Sequence, residues 1–284
     1  MILIADSGST KCHWILCDQK GSILKEEKTI GLNPYFIDSK TIIYNLEKSS
    51  LKEHKESVNK IFFYGAGCSS KEKNKIIYKA LKGVFKKTEI EVKHDLEASC
   101  HALYKGKPNI TCILGTGSNS CFFNGETIKQ KKPSLGFLLG DEASGNFFGK
   151  KILNYYFNNI LSNDLKLKLE SEFITDLKVI NQNIYNNNKA NVFLAGYFPF
   201  IIKNRNHPII NDIIKIALEK FFHLHIKCFD DYKDLEINFS GSVAYFLKKE
   251  IAVFLNIKKC TLGEIIQNPI KNLVKYHFTH NKKT

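Results

Sequence analysis

Asp6, Ser7, Gly8, Ser9, Thr10 and Lys11 follow directly on the short apolar run Ile2 to Ala5. A buried strand that ends in an acid and breaks into a tight turn of small residues gathers backbone N–H groups and hydroxyls, the donors a phosphate needs. The acid is then placed to take a metal ion. The same residues also suit the turn of an ordinary β-hairpin, because apolar residues resume at Trp14, Ile15 and Leu16. Later in the chain the pattern recurs. Ile110 to Leu114 is a second apolar run, followed by Gly115, Thr116, Gly117, Ser118 and Asn119, and then by a strand over Cys121 to Phe123 that closes at Asn124-Gly125. Two such hairpins facing each other would grip one polyphosphate from both sides.

Two further elements carry chemistry. Ile90 and Val92 end a strand at His94-Asp95, just ahead of the helical stretch Leu96 to Tyr104. A carboxylate there serves either as the base for an acceptor hydroxyl or as a helix N-cap. Glu97 is the rival carboxylate, in the first turn, where it also compensates the helix dipole. Phe239, Ser240, Gly241 and Ser242 lead from the strand Glu236 to Asn238 into Val243 to Leu247, a sequence of strand, glycine turn and helix start. A glycine at that turn lets a flat base approach the backbone.

In this order and at this spacing the elements resemble the sugar kinase, actin and heat-shock chaperone ATPase superfamily. Within it the chain resembles the group that joins N-acetylglucosamine kinases with the BadF/BadG/BcrA/BcrD type ATPases. The resemblance rests on the Asp6 to Lys11 loop, the Gly115 to Asn119 loop and the stretch Gly136 to Gly145, and it extends to Asn268-Pro269-Ile270 before a last helix. Gly140-Asp141-Glu142-Ala143-Ser144 is close to the Gly-Asp-Glu-Gly-Ser pattern of the N-acetylhexosamine kinases, with Ala143 in place of its second glycine.

The resemblance implies an α/β fold of two ribonuclease H-like (actin-like ATPase) domains with a nucleotide cleft between them. The expected domains are residues 1–107, joined by a returning C-terminal helix at about 267–284, and residues 108–266. It also implies an ATP-dependent transfer of the γ-phosphoryl group to a hydroxyl of an amino sugar, with N-acetylglucosamine as the leading candidate. ATP would lie on Ser7, Gly8, Ser9, Thr10, Lys11, Gly115, Thr116, Gly117, Ser118, Gly241 and Ser242, Mg²⁺ on Asp6, and Asp95 would be the catalytic base. Asn33, Gly117, Ser118, Asn119, Asp141 and Glu142 would hold the sugar, Asn33 being alternatively a turn residue before Pro34, and capping of the following helix being the lesser alternative for Asp141 and Glu142. Gly65, Ala66 and Gly67 form another small-residue strand end that could approach it. A homodimer is implied by the resemblance alone.

The elements that must position these residues are legible as two α/β halves. Strands are expected near Ile2 to Asp6, His13 to Cys17, Ser22 to Lys28, Ile61 to Tyr64 and Ile90 to His94, and helices near Ser39 to Ser50, Lys71 to Phe85 and Leu96 to Tyr104. Early antiparallel hairpins followed by alternating strands and helices make a mixed sheet. The resemblance implies that the second half repeats that opening; it then runs into a helix-rich insert from about Ala143 to Leu235 and carries an asparagine-rich stretch, Asn181 to Asn191, that reads as a loop.

Composition narrows the classes. The net charge is +14, yet Arg205 is the only arginine and the lysines are spread along the chain. A solvated basic surface that attracts anionic small molecules explains this better than nucleic-acid recognition, which favours the planar guanidinium. Eight cysteines without a Cys-x-x-Cys pair read as reduced, mostly buried thiols. No apolar stretch is long enough for a membrane helix and no signal-peptide pattern opens the chain, so the fold is expected to begin at Ile2 in a cytoplasmic protein. Two other readings stand beside the kinase. One is an ATPase that drives electron transfer through an interface iron–sulfur cluster, for which Cys68, Cys112 and Cys260 are the cysteines to consider. The other is a sugar sensor that has lost catalysis.

Overall fold

The computed structural model describes residues 1–187 and 189–279. The chain divides into two compact units, Met1–Tyr104 together with the segment from Asn268 onward, and Lys105–Gln267.

The first unit is built from β1 (Ile2–Ser7), β2 (Lys11–Cys17), β3 (Ile23–Ile30), α1 (Ser39–Lys48), β4 (Lys60–Gly65), α2 (Lys71–Val84), β5 (Glu89–His94) and α3 (Asp95–Leu103). A short 3₁₀ turn, Ser50–His54, follows α1. The sheet order is β3-β2-β1-β4-β5, antiparallel across β1, β2 and β3 and parallel across β1, β4 and β5. The central strands β1 and β4 are nearly continuous apolar runs because both of their faces are covered, whereas the edge strand β3 alternates. Leu3, Ala5, Trp14, Leu16, Ile61 and Phe63 form this unit's core with Ile77 and Leu81 of α2.

The second unit opens with β6 (Asn109–Leu114), β7 (Ser118–Phe123) and β8 (Ile128–Lys129). It continues through α4 (Gly136–Leu139), α5 (Gly145–Phe157), α6 (Asn163–Glu172), α7 (Leu177–Tyr185), α8 (Ala190–Ala195), α9 (Phe198–Lys203) and α10 (Pro208–Phe221). A π-helical turn, Phe222–Ile226, leads on to β9 (Glu236–Ser240), α11 (Ser242–Phe246), α12 (Lys248–Ile257) and β10 (Leu262–Ile266). Its sheet runs β10-β9-β6-β7-β8, with β6, β7 and β8 antiparallel and β6, β9 and β10 parallel. Each sheet therefore places its own first strand at the centre, a returning meander on one side and two parallel strands on the other. This is the doubled ribonuclease H-like, actin-like ATPase architecture.

The last helix, α13 (Ile270–Thr279), packs on α3 of the first unit. Tyr64 Oη lies 2.9 Å from His101 Nδ1 of α3 and 3.0 Å from His277 Nε2 of α13. The His277 ring stacks on Phe62 with centroids 3.7 Å apart, and Asn272 Nδ2 donates to the Ala102 carbonyl at 3.0 Å.

One expected loop is helical. Asn181 to Tyr185 belongs to α7, because Asp176 caps Val179 N–H and Ile180 and Ile184 pack at helical spacing while the asparagines take the solvent side. Asn188 of that stretch lies outside the described residues, as do residues 280–284. The strand expected from Cys121 starts earlier, at Ser118. All eight cysteines are free thiols, Cys12 and Cys17 sharing β2. Among the described residues no helix is long and apolar enough to cross a membrane.

Candidate active site

In the first unit, Ser7 pairs with Cys12 across the β1–β2 hairpin, and Gly8 N–H donates to the Lys11 carbonyl at 3.0 Å, so Gly8, Ser9 and Thr10 form the tip. The segment is a β-hairpin turn, as the hairpin reading has it. Gly8, Thr10 and Lys11 are exposed and Ser9 is half-buried. A Cβ on Gly8 would meet only the Lys11 carbonyl at 3.8 Å, an ordinary contact. Ser7, by contrast, is fully buried: its hydroxyl accepts from Leu32 N–H at 2.8 Å and donates to the Gly8 carbonyl at 3.3 Å. Its hydroxyl therefore holds the loop and is not an open phosphate donor.

The segment after β3 braces this tip. Gly31 N–H donates to the Thr10 carbonyl at 3.0 Å, and a Cβ on Gly31 would fall 2.4 Å from the Gly8 carbonyl. Asn33, buried, donates from Nδ2 to Ser9 Oγ at 3.0 Å and accepts Tyr35 N–H at 3.0 Å. Gly67, at φ +80°, leaves room for Asn33, since a Cβ there would lie 2.3 Å from Asn33 Oδ1. Asn33, Ser9 and Gly67 are thus brought together, and Asn33 is both a turn residue and part of the loop.

Asp6, the residue before the end of β1, is half-buried, and its desolvation together with the charge of Asp95 pushes its carboxyl up to about 7. Asp95 is the first residue of α3, not its cap. His94 is the cap: its Nδ1 accepts Leu96 N–H at 3.1 Å, and Glu97 Oε1 accepts His94 N–H at 3.3 Å. The cap bond requires a lone pair on Nδ1, while the 2.8 Å contact of the same nitrogen with Asp95 Oδ1 requires a shared proton. Burial opposes a charge on His94, but the hydrogen bond and charge of Asp95, with the charge of Glu97, outweigh it and raise its pKa.

In the second unit, Leu114 pairs with Ser118, and Gly115 N–H donates to the Gly117 carbonyl at 2.9 Å, which closes the second glycine hairpin. A Cβ on Gly115 would meet only the Gly117 carbonyl at 4.0 Å, whereas one on Gly117 would come within 3.0 Å of both Asp141 carboxylate oxygens. Asp141 accepts Ser118 N–H at 3.2 Å and Asn146 Nδ2 at 2.7 Å. Burial raises its pKa in spite of those bonds and the nearby Lys150. Burial also lowers the pKa of Lys150, which donates to the Phe137 carbonyl. Glu142 lies 3.1 Å from His225 Nε2.

Neither acid caps α5; that role falls to Ser144, whose hydroxyl accepts Phe147 N–H at 3.3 Å. Asp141 and Ala143 hold φ of 61° and 57°, so Ala143 adopts the left-handed conformation that a glycine would take at lower cost. Asn119 Oδ1 accepts from Gln130 Nε2 at 3.1 Å and from Ser120 N–H at 2.8 Å. Gly241, at φ +109°, carries no side chain because a Cβ would sit 2.3 Å from the Leu114 carbonyl. Its requirement for glycine therefore comes from the crossing of two backbones. Ser242 is exposed at the start of α11.

The chain is similar over its whole length to the crystal structure of a candidate N-acetylglucosamine kinase from Porphyromonas gingivalis: 32% identity, 99% of this chain and 100% of that one covered, TM-score 0.92. It belongs to the N-acetylglucosamine kinase-like family. A candidate N-acetylglucosamine kinase from Chromobacterium violaceum shares the fold at 15% identity, covering 97% and 98% of the two chains with a TM-score of 0.69. So does a ROK family glucokinase from Streptomyces griseus in complex with glucose and AMPPNP, at 13% identity, 97% coverage of both chains and a TM-score of 0.55. No protein-family model and no curated protein sequence matches the chain.

Within this N-acetylglucosamine kinase-like chain, four residues that bear on the candidate site were not apparent from sequence. Histidine is an unusual cap, so His94 gave only a weak signal beside Asp95. Gly31, Asn146 and Lys150 act on residues distant in the chain, and only the fold brings them together.

Proposed function

We propose that this protein is an ATP-dependent sugar kinase whose acceptor is an amino sugar, N-acetylglucosamine first among them. The observation that carries the reading is the pair of carboxylates in the first unit, Asp6 beside the glycine hairpin and Asp95 on the first turn of α3, close enough for the charge of one to raise the pKa of the other. Phosphoryl transfer needs such a division of labour: one acid for a cation on the phosphates, another for the acceptor proton. The similarity to a candidate N-acetylglucosamine kinase at 32% identity supports the choice of sugar.

Asp6 fits a hard divalent cation such as Mg²⁺. It offers carboxylate oxygens in a half-buried place whose partial desolvation penalises an uncompensated charge. A hard cation at such a place would be held by that one acid, by water and by phosphate oxygens. When bound, the cation neutralises charge on the phosphate oxygens. The chain's own residues do the rest. The N–H groups of Ser9 and Thr10 in the first unit, and those of Thr116 and Gly117 in the second, are the donors each hairpin offers to phosphate, since Gly8 and Gly115 N–H close the turns themselves. Each unit offers its own polar groups to ring hydroxyls, Asn33 in the first and, as acceptors, Asp141 and Glu142 in the second. Asp95 takes the proton of the attacking hydroxyl as the bond to the γ-phosphorus forms and the bond to the bridging oxygen of ADP breaks.

The test is an ATP-coupled assay with Mg²⁺ over N-acetylglucosamine, N-acetylmuramic acid, glucosamine, N-acetylmannosamine and glucose, with Asp95→Asn alongside. Sugar-dependent ADP release that falls roughly 10²- to 10⁴-fold in the variant is the expected result. ADP release indifferent to sugar would overturn the kinase reading in favour of an energy-coupling ATPase. Full activity in Asp95→Asn would remove that residue from its role.

A further inference from the structure

Asn146 joins two loops that the kinase reading assigns to different substrates. Its backbone N–H donates to the Thr116 carbonyl at 3.1 Å and its Nδ2 donates to the same carbonyl at 2.7 Å. That Nδ2 also donates to Asp141 Oδ2 at 2.7 Å. The two protons of one amide nitrogen are thus divided between the glycine hairpin, which would hold phosphate, and the carboxylate, which would hold sugar. The neighbouring bonds reinforce the link: Gly145 N–H donates to the Gly115 carbonyl at 2.8 Å, and Ser118 N–H to Asp141 Oδ1 at 3.2 Å.

The joined parts are not slack. Asp141 and Ala143 occupy the left-handed region at φ 61° and 57°, a conformation that persists in non-glycine residues only where surrounding bonds hold it. Asn146 is fully buried, and among the described residues its Oδ1 and the Ser118 hydroxyl find no hydrogen-bond partner. The cluster therefore has unspent hydrogen-bonding capacity, and a small movement of either loop would redistribute it.

We propose that Asn146 is a positioning residue that couples the two substrates, so that ordering the Gly115–Ser118 hairpin around nucleotide phosphates sets the Asp141 carboxylate for the sugar, and the converse. The inference rests on the kinase reading and goes beyond it. Coupling of this kind is reciprocal and amounts to a factor of about 5 to 150 in affinity between linked sites.

The experiment is calorimetric titration of the full chain with N-acetylglucosamine, with and without a saturating non-hydrolysable ATP analogue and Mg²⁺. It is run on the wild type, on Asn146→Ala and on Asn146→Asp, which keeps the shape and loses both donors. The wild type is expected to change its sugar affinity at least 5-fold when nucleotide is present. Each variant should bring that ratio below 2-fold while still binding each substrate separately. Asn146→Ser, with a shorter donor, serves if the other two do not fold.

An unchanged ratio in the folded variants overturns the proposal. So does a wild type that binds both substrates with no dependence of one on the other. A wild type that binds no sugar of the panel sinks the kinase reading and the coupling with it, a result distinct from independent binding.

Discussion

The glycines of the site separate into two kinds by what lies opposite each missing Cβ. At Gly8 and Gly115 an added methyl meets only a carbonyl at 3.8 and 4.0 Å, so the protein itself makes no demand for glycine there. At Gly241 the methyl would fall 2.3 Å from the Leu114 carbonyl, on a backbone at φ +109°. Gly8→Ala and Gly115→Ala are therefore expected to leave the thermal midpoint within about 3 °C of wild type and to weaken ATP binding at least 10-fold. Gly241→Ala is expected to cost on the order of 3 kcal/mol of stability. Thermal unfolding with nucleotide titration checks both. Equal nucleotide affinity in the two hairpin variants would mean that phosphate does not approach those backbones.

At the scale of elements, the returning helix α13 carries a pH dependence. His277 is buried on Phe62 and Tyr64, and burial, with the charges of Lys93 and Lys60, lowers its pKa to about 3. The folded state thus binds its proton less readily than the unfolded chain, where the value is about 6.5. This group's contribution to stability is complete above that value and is lost as pH falls, at up to roughly 1.4 kcal/mol per pH unit. Urea denaturation should show stability declining from pH 6.5 to 5, and His277→Gln should be less stable at pH 7 but flatter in this range. Equal slopes would assign the dependence to other groups.

Elements also show where sequence reasoning reaches and stops. Both glycine hairpins, the parallel strands β4, β5 and β9, and the Gly241 turn were legible because apolar period and turn residues are local signals, whereas the doubling of the fold and the return of α13 followed from the family resemblance. β10 was missed, being short and interrupted by Gly263. α7 was hidden by asparagines, which favour turns but are tolerated on an exposed helical face. At the site, the loops and the carboxylates Asp6, Asp95 and Asp141 could be read from their neighbours in the chain. Their governors His94, Gly31 and Asn146 could not, since an amide shared between Thr116 and Asp141 has no signature in spacing.

For the whole molecule, the two units differ in how they are strung. Lys105–Gln267 is one continuous stretch with a core of its own, in which Phe148, Phe200, Ile213 and Phe221 are almost wholly buried. The other unit is discontinuous and depends on α13 to cover Phe62 and Tyr64. A fragment of residues 105–267 is accordingly expected to unfold cooperatively, and residues 1–104 alone to lack a sharp transition. Circular dichroism on the two fragments decides it, a sharp transition in residues 1–104 counting against the dependence on α13.

That stringing has a temporal side. As a ribosome delivers the polypeptide, everything through Gln267 leaves before α13 can reach its seat, so the unit bearing Asp6 and Asp95 matures after the one that follows it. Domains commonly settle in order of emergence. Here the order is inverted by topology. A translation product cut short before Ile270 would carry every residue proposed for phosphate, cation and proton, and would still lack the segment that closes the unit holding the two carboxylates.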